Sequence, residues 1–265
     1  MIRSVIVIIF MFTFPLLASD DPLLHMNAGL EAYKHYRFDT AREEYEKALS
    51  IYLSEGDLNG AGECYMSMGE VYVSLCLYEH ALSSYNNGCE IFKKLSKKDR
   101  EASSLISKSQ VYLNLRLYEE SLRACKGAML LYEEISDKKG MAVSLSHTGD
   151  IYSELGLYSE SLKCYTDSLS MFIELNDIEN IGLLLCKTGE DYIKSGDKET
   201  GLQKLQEALN IAKNSPSISY ELLMRTGDIC QEYGYYEEGL SKYREARKVV
   251  KDMGDTVKEY KALRE

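Results

Sequence analysis

A small residue recurs every 40 residues along most of this chain, and that spacing constrains the fold more than any other feature. The series is Gly29, Gly69, Ser109, Gly149 and Gly189, followed after 38 residues by Gly227. A fixed period of this size is typical of repeat proteins, in which each unit buries its apolar faces only by stacking on the next. The 265 residues are therefore predicted to form one elongated stack rather than two ordinary domains.

Other residues recur in phase with this small residue. Tyrosine stands three places later in the four middle copies, at Tyr72, Tyr112, Tyr152 and Tyr192. Sixteen places later the residues are Tyr45, Tyr85, Cys125, Tyr165, Leu205 and Tyr243. Small residues recur twelve and nineteen places later, as at Ala81 and Gly88. Steps of three and four residues place side chains on one face of a helix, so each copy is predicted to contain two helices with one apolar stripe each.

The connections between the predicted helices contain turn and capping residues at equivalent positions. Glycine suits the left-handed residue that ends a first helix, and it is present at Gly156, Gly196 and Gly234. The first three copies have Tyr36, Cys76 and Arg116 there. Because a left-handed non-glycine residue costs about 1–2 kcal/mol, we expect those three turns to be built differently. Aspartates are predicted to cap the helix that opens the next copy, at Asp57, Asp137 and Asp177.

The pattern of small and aromatic residues resembles that of the tetratricopeptide repeat family. It is clearest in two copies, at Gly69, Tyr72, Ala81, Tyr85 and Gly88, and at Gly149, Tyr152, Ser161, Tyr165 and Ser168. The usual repeat of the family is about 34 residues, and a period of 40 resembles a longer variety found in signalling scaffolds. The resemblance implies an all-α fold, a right-handed α-solenoid of about six helical hairpins. The implied repeats span about residues 23–56, 57–96, 97–136, 137–176, 177–215 and 216–252, and residues 253–265 are predicted to form a C-terminal capping helix.

The first 18 residues do not follow the repeat. Arg3 precedes an uncharged apolar run from Ser4 to Ala18, which is the layout of a secretory signal peptide. The run is shorter than the roughly 20 residues that span a bilayer as a helix. We therefore expect export to the periplasm or outside the cell; the alternatives are an uncleaved membrane anchor and an ordinary apolar N-terminus.

The seven cysteines argue in the other direction, because an odd number of thiols is unusual in an oxidising compartment. Cys125 and Cys230 occupy positions of the predicted core, so we expect them to be buried and unreactive.

The composition and the motifs limit the possible functions. The net charge of −11 argues against nucleic acid, whose phosphates require a basic surface. The sequence contains no glycine-rich phosphate loop, no GxSxG or HExxH motif, and no histidine with a second ligand at metal spacing. We therefore expect no catalytic site, cofactor or metal. A non-catalytic interaction scaffold is the leading hypothesis; a self-assembling element that stacks through its terminal helix and an enzyme with an unrecognised site are the alternatives.

The resemblance also implies where a partner would bind. In the family, first helices line the concave face, and the residue after the small one points into it. Here those residues are Leu30, Glu70, Gln110, Asp150, Glu190 and Asp228, of which four are acidic. Further lining residues are expected four places earlier at Met26, Met66 and Met224, and later at Tyr33, Asn114, Glu154, Lys194 and Glu232.

These residues predict an acidic groove with methionine patches, suited to a basic, partly apolar helix or extended peptide. The alternative is that the acids only keep the surface soluble. The expected partner is a protein or peptide, with a membrane contact only through the N-terminal segment if that segment is retained.

Overall fold

The computed structural model describes residues 21–253, which form twelve α-helices in consecutive packed pairs. The helices are α1 (Pro22–Lys34), α2 (Phe38–Glu55), α3 (Leu58–Ser74), α4 (Tyr78–Lys94), α5 (Lys98–Asn114), α6 (Tyr118–Glu134), α7 (Lys138–Glu154), α8 (Tyr158–Glu174), α9 (Ile178–Lys194), α10 (Lys198–Ile211), α11 (Pro216–Glu232) and α12 (Tyr236–Met253). The predicted all-α solenoid of helical hairpins is confirmed for these residues. The predicted signal peptide lies outside the described residues, as does the predicted capping helix except for Met253, the last residue of α12.

The recurring glycine makes room for the recurring tyrosine of the same hairpin. A Cβ atom added to Gly69 would lie 2.3 Å from a ring carbon of Tyr85, and one added to Gly149 would lie 2.5 Å from Tyr165. Both tyrosines are buried, as are Tyr45 and Tyr243 in the equivalent places. The two helices of a hairpin therefore approach so closely that the aromatic ring occupies the space of the missing side chain.

Two hairpins replace this glycine–tyrosine pair with another pair of matched size. In the third hairpin the small residue is Ser109, and its hydroxyl lies 2.9 Å from the sulfur of Cys125, which stands in the tyrosine position. In the fifth, Leu205 packs against Gly189. The third hairpin thus combines a larger residue on the first helix with a smaller one on the second, whereas the fifth keeps the glycine and has leucine in place of tyrosine.

The turns within the hairpins all share one backbone geometry, so the expectation that the first three are built differently is wrong. Tyr36, Cys76 and Arg116 have φ values of 58°, 57° and 59°, in the left-handed region that Gly156 also occupies. In each case the following residue donates a backbone hydrogen bond to the first helix, as Leu77 does to Tyr72 at 2.8 Å. This bond closes the helix end and outweighs the steric cost of a side chain at the left-handed position.

Glycine at these left-handed positions should increase stability. We expect Cys76→Gly and Arg116→Gly each to raise the free energy of unfolding by up to about 1 kcal/mol, because glycine removes the steric clash of the left-handed residue. Urea denaturation followed by far-ultraviolet circular dichroism measures the change. The matched control is Glu79→Gly, in the regular helix α4, which should lower stability by about 1 kcal/mol. A loss of stability in Cys76→Gly comparable to that of the control would contradict this account.

The predicted aspartate caps are confirmed. Asp57, Asp137 and Asp177 accept a hydrogen bond from the backbone N–H three residues later, at 3.0, 3.0 and 3.2 Å. Each bond satisfies one free donor at the start of a first helix, so the aspartates fix the points at which α3, α7 and α9 begin.

The seven cysteines are all within the described residues, and none of them forms a disulfide there. The predicted burial of Cys125 and Cys230 is confirmed, and Cys64 and Cys186 are buried as well. Burial raises the pKa of the Cys125 and Cys186 thiols to about 11, so both remain protonated at neutral pH and act as small apolar side chains.

Candidate functional site

The first helices of the hairpins line one side of the stack, which we call the inner surface. Helix α5 contacts α7 and α9 contacts α11, whereas no neighbouring pair of second helices is in comparable contact among residues 21–253. At these two places the first helices are closer together than any neighbouring pair of second helices is. The structure thus places the predicted lining residues on the elements that form this surface.

The predicted lining residues differ widely in exposure. Glu70, Asn114, Glu154, Asp228 and Glu232 are exposed, and so is Leu30. The half-buried residues are Met26, Tyr33, Gln110, Asp150, Glu190 and Lys194. Tyr33 contacts the next repeat, where its hydroxyl lies 3.0 Å from Ser74 Oγ. These residues offer polar groups along the inner surface from the first hairpin to the sixth.

The expected methionine patches are not part of this surface. Met66 and Met224 are buried in the core, with only 8% and 7% of their surface exposed. The Met66 sulfur accepts a hydrogen bond from Ser104 at 3.1 Å, between two hairpins. Met26, the third methionine of the expected set, is half-buried. Arg225, the residue after Met224 and a rotation of about 100° around the helix, lines the inner pocket instead.

Asp150 is neutralised by groups from three helices. Lys187 of α9 donates to its Oδ2 at 2.7 Å, and the Tyr165 hydroxyl of α8 donates to Oδ1 at 2.8 Å. Burial favours the neutral acid, but Lys187 outweighs it, with His147 and Tyr165 contributing, and holds the pKa of Asp150 below its ordinary value. Asp150 therefore remains ionised and is already paired within the protein.

Glu190 is paired in a similar way. Lys194, one turn further along α9, lies 2.8 Å from its Oε1, and Arg225 of α11 lies 3.9 Å from its Oε2. Burial lowers the pKa of the Lys194 ammonium, but the bond to Glu190 outweighs this and raises it. Lys187, which pairs with Asp150, and Arg225, which approaches Glu190, each come from the next hairpin. Each stands two places before the recurring small residue of its own hairpin.

The acids at the other copies have no such cation. Among residues 21–253, no basic group lies within ion-pair distance of Glu70, Glu154, Asp228 or Glu232. Asp228 accepts a hydrogen bond from the Tyr243 hydroxyl at 2.7 Å. Burial of Glu70 within the inner curve raises the pKa of its carboxyl although the side chain reaches solvent. These four acids are therefore the uncompensated negative charges of the inner surface.

A pocket of about 340 Å³ opens on the inner surface, and we call it the inner pocket. It is built by four successive first helices, α5, α7, α9 and α11, with Tyr165 contributed by α8. Its polar residues include the pairs described above and one further carboxylate, Asp191, which is 1% exposed. Burial raises the pKa of Asp191, and a hydrogen bond from Ser153 at 2.5 Å partly opposes that effect.

Sequence reasoning missed Lys187, Asp191 and Arg225, which all line this pocket. The detectable signal was a departure from the repeat. The residue two places after the small one is aliphatic at Val71, Val111, Ile151 and Ile229, but it is acidic at the buried Asp191 and at the exposed Glu31 of the first hairpin. The residue two places before it is Asn27, Ser67 and Ser107 in the first copies, and His147, Lys187 and Arg225 in the last.

Removal of the Lys187 ammonium should leave Asp150 as an unpaired, largely buried acid. We expect Lys187→Met to lower the free energy of unfolding by about 1–3 kcal/mol at neutral pH. The carboxyl pKa is depressed in the native protein, so its stabilising contribution is present above the unfolded pKa and is lost as pH falls through the folded one. The deficit of the variant should therefore shrink in acid, which urea denaturation across a pH series measures.

The matched control for Lys187→Met is Lys139→Met. Lys139 also pairs with an aspartate, Asp177, at 2.9 Å, but its side chain is 62% exposed. An exposed pair of this kind contributes about 0–1 kcal/mol, so the control should change stability little. Equal losses in the two variants, or a deficit of Lys187→Met that does not vary with pH, would contradict the assignment.

Two further properties of the described residues bear on the kind of site. Residues 21–253 contain no group of three or more histidine, cysteine, aspartate or glutamate side chains placed to hold a metal ion. Within the same range, no helix has both the length and the apolar character needed to cross a membrane.

Comparison with known proteins agrees with the helical-hairpin architecture. The tetratricopeptide repeat family model matches residues 100–174, which comprise most of the third and fourth hairpins. A search of curated protein sequences finds no match. The resemblance to tetratricopeptide repeat proteins is confirmed by this segment and by the fold of the solved structures that the chain matches.

Among the solved structures, the apo form of RapI superposes with a TM-score of 0.68 at 16% identity, covering 87% of this chain and 84% of that one. Aspartyl phosphate phosphatase F from Bacillus subtilis gives 0.70 at 14% identity, covering 93% and 70%. A Rap protein complexed with Competence and Sporulation Factor gives 0.67 at 12% identity, covering 92% and 72%. At these identities the similarity shows that the chain has the same fold.

Proposed function

We propose that this chain is a non-catalytic scaffold that binds a segment of another protein along its inner surface. The observation that carries the proposal is the inner pocket, where charged side chains of four successive first helices converge. Stacked helical repeats present such a surface to extended or helical segments. A solved structure of the same fold is a Rap protein complexed with Competence and Sporulation Factor, which supports a binding function for this architecture.

The charges of the inner surface favour a basic segment. Asp150 and Glu190 are paired within the protein, so they contribute little net field. Glu70, Glu154, Asp228 and Glu232 have no cationic partner within the described residues and extend along the same side of the stack. Lysine or arginine side chains of a bound segment would supply the missing positive charge, and this complementarity would raise both association rate and specificity.

Selection of peptides from a displayed random library on the full chain tests the proposal. We expect the selected peptides to be rich in lysine and arginine and to bind saturably. The triple variant Glu70→Lys, Glu154→Lys and Glu232→Lys reverses three exposed inner acids and should weaken their binding at least tenfold.

The matched control reverses the same amount of charge on second helices, through Glu90→Lys, Glu133→Lys and Asp167→Lys, which are also exposed. This variant should retain binding within about twofold, because the altered groups lie away from the inner surface. Equal weakening in both triple variants would mean that only net charge matters. Unchanged binding in the inner variant would exclude the inner surface as the binding site.

A further inference from the structure

Asp191 is a buried carboxylate at a position that four of the other five described hairpins fill with an aliphatic residue; the first hairpin has Glu31 there, which is exposed. Val71, Val111 and Ile151 are 0% exposed in the equivalent place, and Asp191 is equally buried at 1%. The repeats act as internal controls, because four of the other hairpins build the same packing with an aliphatic side chain at this point. Nothing in the packing of the solenoid requires an acid there, and a buried carboxylate is unfavourable unless it is fully hydrogen-bonded.

The hydrogen bonding of Asp191 is incomplete. Ser153, from the preceding hairpin, donates to Oδ1 at 2.5 Å, while Oδ2 has no hydrogen-bond partner. Ser153 is likewise polar at a position where the second, third and fifth hairpins have Val73, Leu113 and Ile193, and the first and sixth have Tyr33 and Gln231. Ser153 and Asp191 thus bring two polar residues together between the fourth and fifth hairpins, beside the inner pocket.

The basic groups around the pocket do not satisfy Asp191. Lys187 is bound to Asp150 at 2.7 Å, and Lys194 is bound to Glu190 at 2.8 Å. Neither of them lies within ion-pair distance of Asp191. The pocket of about 340 Å³ leaves space beside these groups for the end of a long side chain. The Ser161 hydroxyl lies close enough to lower the pKa of Asp191 but makes no hydrogen bond of normal geometry, so Oδ2 remains an acceptor without a donor among residues 21–253.

We infer that the inner pocket receives the cationic end of a lysine or arginine side chain, with the Asp191 carboxylate as its specificity-determining acceptor. This inference rests on the proposed function, since the cation belongs to the bound segment. A guanidinium or ammonium group can donate to Oδ2 while Ser153 continues to donate to Oδ1. The exposed carboxylate of Glu154 at the same pocket adds a second negative charge near the entering group.

Small probes test this subsite independently of any protein partner. The probe is N-acetyl-arginine N-methylamide, which carries the guanidinium but no charged backbone group. The neutral isostere N-acetyl-citrulline N-methylamide is the control, and the lysine analogue compares an ammonium with a guanidinium. Titration of the full chain, followed by nuclear magnetic resonance, should show saturable binding of the arginine probe and at least tenfold weaker binding of the citrulline probe.

Two variants assign the effect to Asp191. Asp191→Asn preserves the shape of the side chain and should weaken the arginine probe at least tenfold, and the double variant Ser153→Val with Asp191→Val should abolish binding. The double variant places valine at both positions, as at Val73 and Val71 of the second hairpin, so a melting temperature at or above that of the native chain shows that the loss is not caused by unfolding. The control Glu90→Gln, on a second helix, should bind as the native chain does.

Three results would overturn the inference: no saturable binding of the arginine probe, equal binding of the citrulline probe, or unchanged binding by Asp191→Asn. These outcomes are separable from failure of the proposed function. If library peptides bind and depend on the inner acids but ignore Asp191→Asn, only the subsite is wrong. If the arginine probe binds through Asp191 but no peptide is selected, the scaffold proposal fails instead.

Discussion

Gly149→Ser should lower the free energy of unfolding by about 2 kcal/mol in the native chain, and it should cost little in a chain that already carries Tyr165→Cys. The reason is the close approach of the two helices, since a Cβ at residue 149 would lie 2.5 Å from the Tyr165 ring. Tyr165→Cys alone should cost about 3–5 kcal/mol, because it leaves a cavity where a large buried ring was.

The native third hairpin shows why the two changes should compensate each other. Ser109 and Cys125 occupy the same two places there, with their side chains 2.9 Å apart. We therefore expect the double variant to be more stable than the sum of the single changes predicts, by about 2 kcal/mol, which a double-mutant cycle in urea measures. Additive losses would show that residue 149 must be glycine because of its backbone conformation, and not because it makes room for the Tyr165 ring.

The reciprocal exchange is the matched control for this cycle. Cys125→Tyr alone should be strongly destabilising, because the ring would meet the Cβ of Ser109. Cys125→Tyr with Ser109→Gly recreates the pair found in four other hairpins and should be tolerated. If both variants lose the same stability, the size-matching account of the hairpin is wrong.

Ser153→Val with Asp191→Val should raise the free energy of unfolding by about 2 kcal/mol at neutral pH. The double change removes a buried carboxylate oxygen that has no hydrogen-bond partner and places valine at both positions, as at Val73 and Val71 of the second hairpin. Ser153→Ala alone should act in the opposite direction, because it removes the donor at 2.5 Å and leaves Asp191 buried without it. Urea denaturation measures the change in the free energy of unfolding of both variants. Changes of opposite sign would show that the Ser153–Asp191 pair destabilises the fold relative to an apolar pair.

The stability gained by the double variant should also depend on pH. Burial raises the pKa of Asp191, so the folded chain holds this proton more tightly than the unfolded chain does. Native stability from this group is therefore greatest in acid and declines as pH rises from the unfolded pKa through the folded one. The advantage of the double variant should grow over that interval, and a constant difference across pH would contradict a raised pKa at Asp191.

The inner surface could be predicted only in part from the sequence. The resemblance implied that a partner binds along the first helices, and Glu70, Glu154 and Asp228 are exposed on those helices. The position of the methionines was wrong because exposure changes within one residue along a helix, and period alone does not fix the rotation. The pairing of Asp150 with Lys187 joins residues 37 apart in different hairpins, which no local pattern reveals.

The geometry of the left-handed turns also could not be predicted correctly from the sequence. Residue preference indicated a different geometry for Tyr36, Cys76 and Arg116, yet all three adopt the geometry of Gly156. A preference of about 1–2 kcal/mol is smaller than the packing free energy of a whole hairpin, so the stack imposes the turn.

The sequence by itself determined the helical hairpin and its repetition, because small residues and aromatics at fixed steps can bury their faces only in such a stack. It also determined the aspartate caps, since a cap acts on the backbone three residues away. Only the tertiary structure decided which acids are paired and which remain free. Those pairings cross the boundary between hairpins, where distance in space is set by the packing of the solenoid and not by distance along the chain.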